Sequence, residues 1–283
     1  MNDLLDNITL VFVSYKSKKK ILNYIDKVFQ EFNIIVIENS ADKSIIDEYK
    51  NKNCEIFFVN NIGFGSSINF ARNKIKTDYF IVINPDIIGI DKTGIKKFFE
   101  IGKKLNNKFS CLGPRYTNIA KKTLKQSDET KEIDILKSIS GAMMFFNAEK
   151  FDLVNGFDEN FFLYFEETDY AYRANKLGLN CYQINTIKII HEVGTSVDYK
   201  DNIEKQKILD LYTWHFIWSK FYFFRKHYGL LISYVYFLPI LLRAIIKFFY
   251  FTITKNDKKK KKYSLRINGL VSSMKGLKSF KRI

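Results

Sequence analysis

Apolar runs of strand length alternate with amphipathic stretches of helix length over the first part of the chain. Four runs are rich in β-branched and aromatic residues: ITLVFVSY from Ile8, NIIVIENS from Asn33, CEIFFVN from Cys54 and YFIVINPD from Tyr79. Helical patterns lie between them, at residues 21–32 and 65–76. This alternation predicts an α/β fold with a mostly parallel central sheet flanked by helices.

The pattern continues with a helix near residues 92–105 and a strand, FSCLGPRY, from Phe109. Residues 117–132 are polar and predict a mobile loop. A further strand, a turn at Asn155-Gly156, a helix ending at Gly178 and a last strand, CYQINTIKIIHEVGTS, are predicted after it.

The character of the chain changes near residue 200. An aromatic and basic stretch precedes LLISYVYFLPILLRAIIKFFYF, an apolar run interrupted by Pro239, Arg243 and Lys247. These interruptions leave it short of the roughly 18 uninterrupted apolar residues typical of a membrane-spanning helix. We therefore expect an α/β domain over residues 1–200 and a helical, membrane-associating extension over residues 201–283.

Positive charge is concentrated in that extension. The formal net charge is +16, and residues 199–283 hold 19 Lys/Arg against four Asp/Glu. A localised excess of this kind indicates an anionic partner. Aromatic residues, snorkelling Arg243 and Lys247, and the run Lys258–Lys262 favour an anionic membrane surface.

A nucleic-acid-binding module is the alternative, with the aromatic residues of 212–228 as stacking platforms. That alternative leaves the acidic motifs of the central region without a role, so no nucleic acid partner is expected. Cys54, Cys111 and Cys181 are widely spaced without a CxxC pair, which disfavours zinc or a disulfide framework. Acidic residues stand where a signal peptide needs basic ones, so a cytoplasmic protein is expected.

Three groups of residues are candidates for chemistry. Asp86 follows an apolar run in INPD, where it is either a turn residue or an oxygen ligand for Mg²⁺ or Mn²⁺. Glu166, Glu167 and Asp169 open a predicted helix, where acids complement the helix dipole or supply a general base. An i,i+4 pair of Asp169 with Arg173 is possible, so one acid is open to a structural role.

His191 lies in IIHEVGTS and is either a structural residue or a metal ligand. The GFG of residues 63–65 lacks the third glycine of a dinucleotide fingerprint and the lysine of a P-loop. Both of those nucleotide sites are therefore excluded.

These motifs occur together in a recognisable order. NNIGFGSSINFA, INPD, NGFDENFFLYFEETDY and HEVGTS resemble the signature of inverting family 2 glycosyltransferases, especially the rhamnosyltransferase-like branch, over about residues 8–230. The resemblance implies a GT-A fold and a nucleotide-sugar site that uses Mg²⁺ or Mn²⁺.

The resemblance also implies roles for individual residues. The implied donor-binding residues are Tyr15, Glu38, Asn39, Asn61, Gly63, Phe64, Gly65, Asn69, Asn84 and Gly141. The implied metal ligands are Asp86 and His191, with Asn84 in place of the first acid of the metal motif. Phe157, Asp158 and Glu159 are implied on the acceptor side. Glu167 corresponds to the catalytic base, with Glu166 as its alternative and Asp169 beside them.

The implied activity is sugar transfer with inversion, from a nucleotide sugar such as dTDP-rhamnose to a glycan or glycolipid acceptor. Cell-surface polysaccharide or lipooligosaccharide synthesis is the implied setting, at the inner face of the cytoplasmic membrane. Glu38 and Glu167 stand where the family usually has aspartate. These departures, with Asn84, leave a catalytically degenerate transferase scaffold as an alternative.

Overall fold

The computed structural model describes residues 6–119 and 125–282. Contacts within the chain separate two compact units. The sheet unit comprises Met1–Asp158 and Glu167–Asp198, and the helical unit comprises Glu159–Glu166 and Tyr199–Ile283. The short segment 159–166 thus groups with the C-terminal helices, although it lies within the part of the sequence that we assigned to the α/β domain.

Nine strands of the described residues form the sheet. They are β1 (Ile8–Ser14), β2 (Asn33–Glu38), β3 (Glu55–Phe58), β4 (Tyr79–Ile83), β5 (Ile87–Ile88), β6 (Phe109–Tyr116), β7 (Ile133–Leu136), β8 (Met143–Asn147) and β9 (Asn180–His191). Their order is β3-β2-β1-β4-β8-β6-β9-β5, with β7 also paired to β9. Since β8 is antiparallel to β4 and β6, six strands (β1–β4, β6 and β9) run in one direction.

The helices of the sheet unit cover both faces of this sheet. They are α1 (Lys18–Lys27), α2 (Phe64–Arg72), α3 (Lys92–Lys104), α4 (Ala148–Leu153) and α5 (Glu166–Lys176), the last beginning at the boundary of the unit. The predicted α/β class, with a mostly parallel sheet flanked by helices, is confirmed.

Aromatic residues build a separate core on each face of the sheet. Tyr79 and Phe80 are adjacent in β4 and so point to opposite faces. Tyr79 stacks on Phe145 with ring centroids 5.4 Å apart, and Phe80 stacks on Phe146 at 4.9 Å. Burial on both faces explains why these strands have continuous apolar sequences rather than alternating ones.

Two predicted helices are shorter in the structure than in the sequence pattern. Helix α1 ends at Lys27 rather than at residue 32, because the chain turns and buries Phe29 and Phe32 in the core. Helix α2 ends at Arg72 rather than at residue 76, where a tight turn buries Ile75. In both cases the apolar residues that continue the helical period are buried in the core from a turn after the helix rather than from the helix itself.

The predicted loop over residues 117–132 is only partly described, since residues 120–124 lie outside the described range. Its later part is tied to β9 and is not free. The Ser127 N–H donates to Gln183 Oε1 at 2.7 Å, and the Asn185 amide donates to the Asp128 and Lys131 carbonyls at 2.7 and 2.8 Å. Mobility was therefore the wrong expectation for that part, because buried side chains of β9 satisfy its backbone.

Three long helices form most of the helical unit: α6 (Asn202–Tyr228), α7 (Leu230–Ile253) and α8 (Asp257–Met274). Helix α8 packs closely on α6 at Gly269, where an added Cβ would lie 2.7 Å from the Trp214 carbonyl oxygen. The Trp214 indole also donates to Asn268 Oδ1 at 2.7 Å. Phe221, Phe237 and Leu270 fill the space between the three helices.

Helix α7 runs through Pro239 without ending, so the interruption expected there does not divide it. It has 24 residues, a mean hydropathy of 1.8 in its most apolar stretch and only 17% of that stretch buried. Within residues 6–119 and 125–282 it alone is long and apolar enough to cross a membrane. One such helix is weak evidence for a membrane segment, because length and composition are the only criteria it meets.

His215 of α6 hydrogen-bonds to the C-terminal segment of the helical unit. Its ring is fully buried against Phe162, with centroids 4.6 Å apart. Nε2 lies 2.9 Å from the Lys281 carbonyl oxygen and Nδ1 lies 3.1 Å from the Ser279 hydroxyl. These two partners satisfy the neutral imidazole, with Nε2–H donating and Nδ1 accepting. Burial lowers the pKa of His215 to about 4, so the folded chain holds it uncharged.

Acidification is therefore expected to destabilise the protein through His215. The unfolded chain takes up the proton near pH 6.5, whereas the folded chain resists it down to about pH 4. The contribution of neutral His215 to the free energy of unfolding is fully present above about pH 6.5. It decreases as the pH falls, and about 2 kcal/mol of it is lost at about pH 5. Urea unfolding at about pH 7 and about pH 5 measures it. His215→Gln, which offers one donor and one acceptor without titrating, should flatten this dependence; an unchanged slope in that variant would contradict the assignment.

Candidate active site

Polar side chains collect at one edge of the sheet because several strands end there in the same direction. Tyr15 follows β1, Asn61 lies beyond β3 and Asn84 follows β4. Antiparallel β8 begins at this edge just after Gly141, since Ile83 pairs with Met143. His191 ends β9 at the same edge. Ligands of open α/β sheets bind at such carboxyl ends.

Asp86 and His191 are brought into contact at this edge. Asp86 Oδ1 lies 3.3 Å from His191 Nε2, with side-chain exposures of 2% and 14%. The Asn84 carbonyl accepts from the Ile87 N–H at 3.1 Å, so Asp86 sits in a β-turn. Asp86 is therefore both a turn residue and a neighbour of His191. The turn orients its carboxylate toward the histidine.

The contact depends on β5, a two-residue strand that the sequence pattern did not predict. Ile87 of β5 pairs antiparallel with His191 of β9. Asn118 fixes the histidine further, since its amide accepts from the His191 N–H at 3.1 Å and donates to the His191 carbonyl at 2.8 Å. Nothing in the local sequence around Asn118 marks this role, because its partner is 73 residues away.

Glu38 lies at the end of β2 and is fully buried. Its Oε2 accepts from the Ser14 hydroxyl across the β1–β2 register, and its Oε1 accepts from the N–H groups of Lys16 and Ser40 at 3.3 and 2.9 Å. The carboxylate thus holds the loop that carries Tyr15. The structure places Tyr15 partly exposed beside this anchor.

Asn39 and Gly63 shape the neighbouring loop. The Asn39 amide donates to Ser67 Oγ at 2.7 Å and accepts from the Ile62 N–H at 3.3 Å. Gly63 has φ +94° directly before α2, a conformation that favours glycine. Together they fix the approach of residues 61–63 to the sheet edge. Gly65 is buried in the first turn of α2.

Asn69 is committed to the backbone of Phe157. Its amide donates to the Phe157 carbonyl and accepts from the Phe157 N–H, both at 2.9 Å. Phe157 is itself buried, packed against Phe146 and Tyr170. Its side chain is therefore core, and only the following residues, half-buried Asp158 and exposed Glu159, present side chains to solvent.

Glu167 lies beside Gly141 at the same sheet edge as Asp86. A Cβ added at Gly141 would lie 3.9 Å from Glu167 Cβ and 3.5 Å from the Phe64 ring. The adjacent residue, Ala142, accepts from the Asn84 N–H at 2.8 Å, which links this position to the Asp86 turn. Burial raises the pKa of the Glu167 carboxyl, while hydrogen bonds from its own N–H and from Thr168 oppose the shift.

Asp169 has a structural partner. Its carboxylate is fully buried and accepts from Arg173 Nε at 2.7 Å, the i,i+4 pair considered from the sequence. The same guanidinium donates to the carbonyls of Val154 and Gly156. The pair therefore braces α5 against the Asn155-Gly156 turn. Glu166 is also buried, whereas Glu167 is partly exposed.

The chain reaches these acids through a strained turn. Tyr164 and Phe165 have φ values of +68° and +71°, a region that bulky residues rarely adopt. Within the helical unit their rings pack against Phe216, with centroids 5.5 and 5.9 Å away. Strain of this kind persists where surrounding contacts enforce it, and it is concentrated at functional sites.

The arrangement suits a divalent cation at Asp86 and His191. Asp86 Oδ1 is buried, and although His191 Nε2 lies 3.3 Å away, no group among the described residues is aligned to donate a hydrogen bond to it. Such atoms call for an ion or a water. A carboxylate oxygen and an imidazole nitrogen are suitable ligands for Mn²⁺. No group of three His, Cys, Asp or Glu residues gathers in the described parts of the chain, so phosphate oxygens and waters would complete the shell.

No family model matches the chain. It is similar to Agl10 of Haloferax volcanii, named a low-salt glycan biosynthesis hexosyltransferase, with 23% identity over 214 residues, or 66% of this chain and 68% of that protein.

Solved structures resemble it in fold. A Pyrobaculum calidifontis mannosyltransferase in complex with GDP-Man and Mn²⁺ superimposes with a TM-score of 0.58 and 9% identity, covering 95% of this chain and 87% of that one. TarS 1–349 of S. aureus superimposes with a TM-score of 0.51 and 14% identity, covering 95% of this chain and 92% of that one. GalNAc-T7 with UDP, GalNAc and Mn²⁺ superimposes with a TM-score of 0.53 and 12% identity. The match covers 78% of this chain and 50% of the GalNAc-T7 chain. The chain therefore has a GT-A-like fold.

Proposed function

We propose that this protein is a hexosyltransferase that moves a sugar from a nucleotide sugar to a glycan or lipid-linked glycan, with inversion. The observation that carries the proposal is the meeting of Asp86 and His191 at the sheet edge where Glu167 also lies. A pair of residues that suits a divalent cation, at the same sheet edge as a carboxylate of raised pKa, fits sugar transfer from a diphosphate leaving group. The similarity to a glycan biosynthesis hexosyltransferase supports it.

Asp86 and His191 would hold Mg²⁺ or Mn²⁺, which would neutralise charge on the leaving diphosphate. Tyr15, Asn61, Phe64, Asn84 and Gly141 are proposed to contact the donor, because all five are partly exposed at this edge. Glu38, Asn39, Gly63, Gly65 and Asn69 act indirectly, since buried hydrogen bonds or tight packing commit them to the loops that carry the contacts.

Glu167 is proposed to accept the proton from the acceptor hydroxyl as that oxygen attacks the anomeric carbon. Its partial exposure allows contact with substrate, and its raised pKa improves it as a base once deprotonated. Asp169 positions the helix through Arg173. Asp158 and Glu159 are proposed to face the acceptor. A single displacement with one base inverts the anomeric centre and needs no covalent intermediate.

Donor choice is testable by thermal shift of the full chain. We expect one nucleotide sugar with Mn²⁺ to raise the melting temperature by several degrees, as saturating ligand does. dTDP-rhamnose is the first candidate, by the resemblance of the motifs, followed by GDP- and UDP-hexoses. The matched control is the same nucleotide sugar without metal. Absence of any shift and of metal-dependent donor hydrolysis would support a catalytically inert scaffold.

Membrane association at the cytoplasmic face is part of the proposal. The apolar helix α7 and the basic run Lys258–Lys262 supply hydrophobic and electrostatic contacts of the kind that hold peripheral proteins. Such an anchor would bring the enzyme to an acceptor carried on a lipid.

A further inference from the structure

The helical unit contains a cationic cavity of about 160 Å³ between α6, α7 and α8. Most of its lining surface is apolar, and three basic residues contribute to the lining: Arg243 and Lys247 from α7, and Arg266 from α8. The two α7 residues are four apart and so share a helix face. The remaining lining residues are apolar or aromatic: Ile217, Ile240, Ala244, Tyr263 and Leu270.

None of the three cations is neutralised within the described residues. Arg243, Lys247 and Arg266 have no carboxylate within 4.0 Å and no side-chain hydrogen bond. Lys261 of the same α8 shows the contrast, since it pairs with Asp210 at 2.5 Å. Arg243 and Lys247 are exposed and Arg266 is half-buried, so water screens part of the repulsion between these like charges, and a bound anion would remove the rest. The cavity volume corresponds to roughly five water molecules at about 30 Å³ each.

An exposed apolar stripe runs along α7 beside this cavity. Its residues follow each other at intervals of three or four, which places them on one face of the helix. Their exposure is between 50% and 81%: Leu231, Val235, Leu238, Leu242, Ile246, Phe249 and Ile253. Arg243 is an i,i+3 neighbour of Ile246 and Lys247 directly follows Ile246, so the two α7 cations border the stripe. A continuous exposed apolar surface of this length marks an interaction site.

We propose that the cavity binds the phosphate of a phosphorylated lipid and that the hydrocarbon chain of this lipid lies along the stripe. A free anion would neutralise the cavity but leave the stripe in water, whereas a neutral lipid would do the reverse. Two guanidinium groups suit phosphate because each donates a planar pair of hydrogen bonds. Three cations favour a phosphomonoester, which can carry two charges, over a phosphodiester with one.

The test compares vesicles that differ in phosphate type. Full-length protein is titrated with phosphatidylcholine vesicles containing either phosphatidic acid or phosphatidylglycerol, matched for surface potential. We expect about tenfold tighter binding to the phosphomonoester lipid, the value of about one charge-assisted hydrogen bond. Arg243→Gln combined with Arg266→Gln should abolish this preference. No donor or acceptor is present, so the result does not depend on the transferase proposal.

The matched control is Lys258→Gln combined with Lys260→Gln, which removes the same charge outside the cavity. This control variant should bind both kinds of vesicle more weakly and still prefer phosphatidic acid. The electrostatic attraction of its lysines to an anionic surface is the same for both vesicles. An equal loss in both double variants, with no preference in the wild type, would show a basic surface only and overturn the site.

Two further arms separate a lipid from a free anion. Leu242→Gln with Ile246→Gln, at exposed stripe positions, should weaken vesicle binding and leave the thermal shift with inorganic phosphate unchanged. Stabilisation by inorganic phosphate equal to that by short-chain phosphatidic acid would identify a free anion site and overturn the lipid assignment. Lys247→Gln alone tests the cavity again with a single exposed residue, and we expect a partial loss of the preference.

Discussion

Glu167→Gln is expected to lower the turnover of sugar transfer by about 10²- to 10⁴-fold, the range for loss of a general base. Glutamine keeps the size of the side chain and can still accept from the Thr168 hydroxyl, which lies 3.1 Å from Glu167 Oε1. It cannot accept a proton from the acceptor. Donor affinity should therefore stay within a few-fold of the wild type, as measured by calorimetry beside steady-state transfer rates.

The matched control is Glu166→Gln, one residue earlier and buried. We expect a smaller loss of turnover there, because a buried carboxylate does not reach the acceptor. The pH profile supplies a second readout. Burial raises the pKa of Glu167, so the acidic limb of turnover should lie above the usual glutamate range. Wild-type turnover in Glu167→Gln would rule out this base, and a larger loss in Glu166→Gln would transfer the role to Glu166.

Asp86→Ala is expected to abolish the effect of Mn²⁺ on donor binding. The substitution removes a buried carboxylate oxygen that lies 3.3 Å from His191 Nε2 and has no hydrogen-bond partner in the described chain. Loss of a direct ligand should cost Mn²⁺ affinity at least the 10- to 100-fold typical of disturbing its outer partners. Equilibrium binding of Mn²⁺, followed by electron paramagnetic resonance without donor, measures this directly.

Asp86→Asn is the conservative partner of this variant. It should fold like the wild type, since the turn is held by the Asn84 carbonyl and the Ile87 N–H, but it should bind Mn²⁺ weakly because its charge is gone. His191→Ala should show a similar loss. Asp91→Asn removes a charge from an exposed helix cap and should leave Mn²⁺ binding unchanged. Wild-type Mn²⁺ binding in both Asp86 variants would exclude Asp86 as a ligand.

Several residues of the motifs have hydrogen-bond partners that the motifs do not indicate. Asp169 and Asn69 were grouped with catalytic and donor-binding residues, but their polar atoms are committed to Arg173 and Phe157. Glu38 likewise bonds to Ser14 and to loop backbone. A motif shows that a polar residue is required at a position, whereas its hydrogen-bond partners, which are distant in sequence, decide what that residue touches.

The sequence by itself determined the α/β class, the main strands and the division of charge between the two parts of the chain. Those features depend on local period and composition, which each segment carries independently of its neighbours. Only the tertiary structure decided that Asp86 meets His191, because that contact needs the two-residue strand β5 paired 104 positions away in the chain with β9. A strand that short has no periodicity of its own, so its position is set by its partner. The cationic cavity also depends on tertiary structure, because it forms between three helices and no local sequence pattern predicts how they pack.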